Sequence, residues 1–150
     1  MKRTIWFDMD GTIANLYGVE NWLDKLHACD PSPYAEAAVM HNMSLLARYL
    51  NKLQQKGYWI GIISWTAKDA PRYYNEVVKD VKKQWLAEHL ASVHFDFYMI
   101  TDYGLPKELW MNTTDDILFD DNEEIRGEWD GEAYEPDEIL SVLKALVDGK

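Results

Sequence analysis

"IWFDMDGTI", residues 5–13, decides the fold. Its first half is bulky, β-branched and aromatic, the composition of a buried strand. Two aspartates then arrive one residue apart, followed by a glycine and a threonine. Carboxylates at the end of a buried strand need compensation from a cation or from a set of donors. In an extended backbone Asp8 and Asp10 lean the same way. Gly11 permits a sharp departure from the strand, and Thr12 brings a hydroxyl just beyond it.

Working outward, the chain alternates strands with helices. Residues 3–8 form the first strand, and 19–27 hold a short amphipathic stretch with Trp22, Leu23 and Leu26 on one side. "DPSPY" at 30–34 breaks the chain. The spacing of Val39, Met43, Leu46, Leu50 and Leu53 predicts a helix over 35–56, stopped by Gly57. "YWIGII" at 58–63 is a second strand, apolar throughout. Asp69 is placed to cap a helix with Pro71 in its first turn, running to about Leu90. Strands follow at 93–100, 116–119 and 128–134, and a closing helix at 136–147. This pattern predicts an α/β fold, a parallel sheet between helices, in one domain over 1–150.

Ligands of such sheets bind beyond the carboxyl ends of the strands. Asp8 and Asp10 follow the first strand, Ser64 the second, Lys107 the third, and Asp120 and Asp121 the fourth. Four carboxylates at one edge repel one another, and a hard divalent cation removes the conflict. Their all-oxygen ligand set suits Mg²⁺ better than zinc. Ser64, Lys107 and the backbone around Trp65 and Thr66 then supply donors for a tetrahedral anion such as phosphate. For the lysine, Lys68 is the nearest competitor, and Lys82 or Lys83 a weaker one.

Composition narrows the function further. The formal net charge is −11, with 26 acidic against 15 basic residues, which opposes binding to duplex nucleic acid. It leaves room for a small phosphorylated substrate held through a cation. Cys29 is the only cysteine, so no internal disulfide forms, and no Cys/His pair has zinc-site spacing. The four histidines show no metal-like spacing either. No apolar run reaches the length of a membrane span and no leader is evident, so the expectation is a cytoplasmic protein.

"FDMDGTI" resembles the first motif of the haloacid dehalogenase-like (HAD) phosphohydrolases, a DxDxT signature preceded by apolar residues. "IGIIS" at 60–64 resembles the second motif, Lys107 the third, and "ILFDD" at 117–121 the fourth in its paired-aspartate form. The resemblance implies a Rossmann-like fold and a phosphatase. It makes Asp8 the nucleophile and Asp10 the acid and base, with Ser64 and Lys107 on the phosphoryl group. It implies that Mg²⁺ is held by Asp8, the backbone carbonyl of Asp10 and one of Asp120 and Asp121, with Asp121 the favoured direct ligand.

Such proteins choose substrates through a cap, and here only 14–33 is left for one. The layout is similar to 5′(3′)-deoxyribonucleotidase-like members, although these carry a larger helical cap. Tyr17, Trp22 and Trp65 are placed to stack on a base, or else to pack the cap helix and the start of the following helix. A phosphoprotein, a sugar phosphate or a nucleic-acid end would also fit an open site. A catalytically retired interaction module is the alternative of another class. A receiver domain is excluded by motif order, since here the DxD comes first and the acidic pair late. A calcium loop starting at Asp8 fails because its twelfth position is Val19.

Overall fold

The computed structural model describes residues 3–149; Met1, Lys2 and Lys150, at the ends of the expected domain, lie outside them. In chain order the first elements are β1 (Thr4–Phe7), β2 (Ala14–Asn15), α1 (Trp22–His27), α2 (Ser32–Glu36), β3 (Ala38–Val39) and α3 (Met43–Gln55). They are followed by β4 (Trp59–Trp65), α4 (Arg72–His89), β5 (Phe97–Thr101), β6 (Ile117–Phe119), α5 (Glu123–Glu128), β7 (Glu132–Tyr134) and α6 (Ile139–Val147). Strand β1 is buried along its length because it is the centre of a parallel sheet ordered β5-β4-β1-β6-β7.

Period-2 alternation divides β1 between two cores. Ile5 and Phe7 join Ile60, Ile62, Ile117 and Phe119 under Leu46, Leu50 and Leu53 of α3 and Ile139 and Leu143 of α6. Trp6 points the other way, to Ile63, Leu118 and Trp129. Its ring lies where a β-carbon at residue 61 would be, so Gly61 leaves the space that Trp6 fills. A third cluster joins Leu16 and Tyr34 to Ala67, Tyr74 and Val78, and so seats the segment between β1 and α3 on α4.

That segment corrects one expectation. The helix expected over 35–56 starts only at Met43. Ahead of it β3 pairs antiparallel with β2, and Val39, counted as a core position, is exposed. Asn42 sets the true start, its side chain accepting from the Leu45 amide at 3.1 Å. Asp69 does not cap α4 either. It sits at φ +56°, Pro71 occupies the cap position, and the loop is tied instead by Asn75, whose amide group bonds both N and O of Ala67. The third and fifth strands are shorter than expected, and α5 lies between the last two strands. Among the described residues no helix is long and apolar enough to cross a membrane.

Candidate active site

Asp8 leaves β1 at the carboxyl edge with its amide still donating to the Phe119 carbonyl at 2.9 Å, so the sheet fixes its backbone. Two donors fix its carboxylate. Thr12 Oγ1 donates to Oδ2 at 2.9 Å and Lys107 Nζ to Oδ1 at 3.0 Å. The same Thr12 hydroxyl accepts from the Asp121 amide at 3.2 Å, which ties the loop after β1 to the loop after β6. Gly11, at φ +78°, is required twice over: the backbone turn is left-handed, and a β-carbon would be driven into the Asp121 carboxylate.

Lys107 lies in a 3-10 turn (Lys107–Trp110) after Pro106 and is 4% exposed. Its ammonium spans Asp8 and Asp120, with 2.6 Å to Asp120 Oδ2, above the Trp65 ring at 5.2 Å. Burial works against this charge, but Asp8 and Asp120 together outweigh it and hold the pKa above the ordinary lysine value. None of the competing lysines takes this place: Lys82 bonds Asp10 and Ser64, and the other two lie over aromatic rings. Lys68 stands 5.8 Å over the Tyr103 ring and Lys83 5.5 Å over Tyr98.

Asp8, Asp120 and Asp121 offer oxygens that all lie within 4.8 Å of one another. Asp120 is held by Lys107 and by the Asn122 amide, 2.9 Å from its Oδ1. Burial, then the charge of Asp8, pushes its carboxyl up to about 6 despite Lys107. Asp121 stands at the exposed rim, where loss of water to the cavity walls and repulsion from Asp8 and Asp120 push it up to about 8. Three carboxylates facing a single ammonium leave an excess of negative charge, and a cluster built only from carboxylate oxygens fits a hard divalent cation such as Mg²⁺.

Asp10 lines the same cavity but is held by a different lysine. Its Oδ2 accepts from Lys82 Nζ at 2.9 Å, and burial raises its pKa although Lys82 opposes the rise. Ser64 stands at the carboxyl end of β4, where it is expected. It is fully buried beneath the site, and its hydroxyl accepts from Lys82 at 2.8 Å. The residues after it, Trp65 and Thr66, form the cavity wall. Thr66 Oγ1 is buried with no hydrogen-bond partner, an unmet donor and acceptor beside the carboxylates.

Above these groups opens a cavity of about 660 Å³. Tyr17 and Trp22 meet edge to face at 5.0 Å on one wall, and Trp65 and Tyr103 lie 4.9 Å apart on the other. Tyr103 and the buried clamp of Lys82 were not legible as site features from motif spacing. Lys82 had one signal, a cation on the inner stripe of α4 marked by Tyr74, Val78, Trp85 and Leu86.

No protein-family model matches the chain, and no curated protein matches it. Solved structures do. D,D-heptose 1,7-bisphosphate phosphatase from Burkholderia thailandensis aligns with TM-score 0.58 and 10% identity, covering 97% of this chain and 99% of that one. A protein named as a HAD-like phosphatase, from Mesorhizobium loti, aligns with TM-score 0.61 and 13% identity, covering 99% and 87%. The chain has the fold of the HAD-like phosphatases. At these identities the likeness speaks for the α/β architecture alone.

Proposed function

We propose that this HAD-fold protein is a Mg²⁺-dependent phosphomonoesterase acting through an aspartyl-phosphate on Asp8. One observation carries the reading: Asp8 is fixed by Thr12 and Lys107 at the centre of an all-carboxylate cluster, on the floor of an open cavity. Asp8, Asp121 and the backbone carbonyl of Asp10 would hold the cation, with Asp120 beside them, committed to Lys107. Bound there, Mg²⁺ offsets the carboxylates' charge and polarises a phosphoryl oxygen.

An Asp8 oxygen attacks phosphorus as the bond to the leaving oxygen breaks. Asp10, in its protonated form, gives its proton to that oxygen. Lys107 and the Thr66 hydroxyl face the charge that builds on the phosphoryl oxygens. In the second half Asp10 takes a proton from water as the water oxygen attacks phosphorus, which restores the Asp8 carboxylate and releases phosphate. Ser64 enters through Lys82 rather than by touching phosphate.

The aromatic walls favour a small phosphate ester with a planar group, a nucleoside monophosphate first. They stand where the short segment after the first motif faces the Trp65–Tyr103 pair. Hydrolysis of an aryl phosphate with and without Mg²⁺ tests the enzyme, and a panel of nucleotides and sugar phosphates tests the substrate class. The expected result is metal-dependent turnover, lost in Asp8→Asn, with the nucleotides ahead in kcat/KM. No turnover on any compound would leave the retired fold as the better account.

A further inference from the structure

Lys82 is a buried charge in the site to which the reaction steps above give no task of its own. It lies on α4, 1% exposed, and its ammonium has an acceptor for each of its three N–H bonds. These are Asp10 Oδ2 at 2.9 Å, Ser64 Oγ at 2.8 Å and the Trp65 carbonyl at 2.7 Å, with the Tyr34 ring 5.1 Å away. Two of the three belong to consecutive residues of β4, so the ammonium is pinned to the sheet before it reaches Asp10. Asp10 itself sits in the loop beyond β1, with no other side-chain donor among the described residues. A carboxyl group on a loop samples several rotamers unless something holds it.

We propose that Lys82 is a positioning residue that orients Asp10 for proton transfer, with Ser64 and the Trp65 carbonyl as its anchors. An ammonium only donates, so Oδ2 stays an acceptor and any proton on Asp10 is carried by Oδ1. One oxygen is thereby reserved for the clamp and the other for the leaving group. Ser64 accepts from Lys82, which makes this hydroxyl a support for the clamp. The inference rests on the phosphatase reading above, since it assigns a role within that reaction.

The test compares a poor leaving group with a good one. An alkyl phosphate needs the proton from Asp10 as its bond breaks, whereas an aryl phosphate with an acidic phenol hardly does. In Lys82→Met, checked for folding by its melting curve, the ratio of kcat/KM for alkyl over aryl phosphate should fall by about ten-fold or more. Ser64→Ala removes one anchor with little steric change and should lower the same ratio less, by about three-fold. If Lys82→Met does not fold, Ser64→Ala carries the test alone. A Ser64 that bound phosphate directly would instead lower both substrates alike and leave the ratio unchanged. Wild-type turnover with an unchanged ratio in the folded variants overturns the positioning role and spares the phosphatase reading. No wild-type turnover removes both.

Discussion

At the amino ends of the strands Asp116 is fully buried, and so is Asp120 at the carboxyl ends, yet the two live in opposite circumstances. Asp116 accepts from the Thr4 amide at 2.9 Å, Trp6 Nε1 at 3.1 Å, the Asn112 amide at 2.7 Å and Thr113 Oγ1 at 3.1 Å. Those donors are fixed by the fold, and no second carboxylate is among them. Asp96 does similar work ahead of β5, accepting from the Ile60 amide at 2.8 Å. Asp120, by contrast, shares one ammonium with Asp8 and lies beside Asp121. A buried acid whose lone pairs are filled by neutral donors holds strands together. A buried acid crowded by other carboxylates is poised to bind something else.

The largest effect should come from breaking the functional end. Asp8→Asn is expected to lower kcat by about 10⁴-fold or more, measured on the best substrate of the panel. The variant should remain folded, because the change also removes one charge from a crowded cluster. Residual turnover near the wild-type level would make Asp8 a ligand only and move the nucleophile elsewhere.

Asp116→Ala strikes the structural end. It strands buried donors of β1 and of the loop before β6, at a cost of about 3 kcal/mol measured by urea unfolding. Activity per folded molecule should hardly change. An equal loss of kcat in fully folded protein would erase the distinction between the two ends.

The strands of the main sheet and their parallel arrangement were legible in the sequence, because a buried apolar run that ends in charge fits few places but a sheet edge. Asp116 was not, since "TTDDILF" reads as a strand start and nothing local foretells donors from Thr4 and Trp6, more than a hundred residues away. The 35–56 helix failed for a related reason. Val39 keeps the helical period, but the pairing of Ala38 and Val39 with Ala14 and Asn15 is a tertiary contact that overrides it. Ser64 was found at its strand end, while the cation beneath it came from a helix that the motif does not include.

Metal and pH sharpen the contrast by a smaller amount. Asp120 is raised to about 6 and Asp121 to about 8 from 3.8, so between about pH 4 and pH 8 the metal-free folded state binds more protons than the unfolded chain. Its stability therefore falls as pH rises through that window. Mg²⁺ competes with those protons, and the gain in melting temperature from saturating Mg²⁺ should be larger at about pH 8.5 than at about pH 5.5. At a hundred-fold excess over Kd the stabilisation is about 2.7 kcal/mol. In Asp121→Asn the pH dependence of that gain should flatten. A gain independent of pH in the wild type would place the cation away from these carboxylates.

The smallest effect belongs to the aromatic part of the rim. Tyr103 is 52% exposed and rests on Trp65, whose indole N–H donates to the Leu105 carbonyl at 2.8 Å and is thereby fixed. Truncating an exposed ring of this kind should change stability by less than about 0.5 kcal/mol. If the ring stacks on the planar part of the substrate, Tyr103→Ala should cost about 1 kcal/mol of binding, a KM for a nucleoside monophosphate raised about five-fold. The KM for a small alkyl phosphate should stay where it was, because that substrate reaches only the floor of the cavity. An equal change for both would mean that Tyr103 shapes the floor through Trp65 and Lys107, and no change for either would take the rim out of substrate recognition.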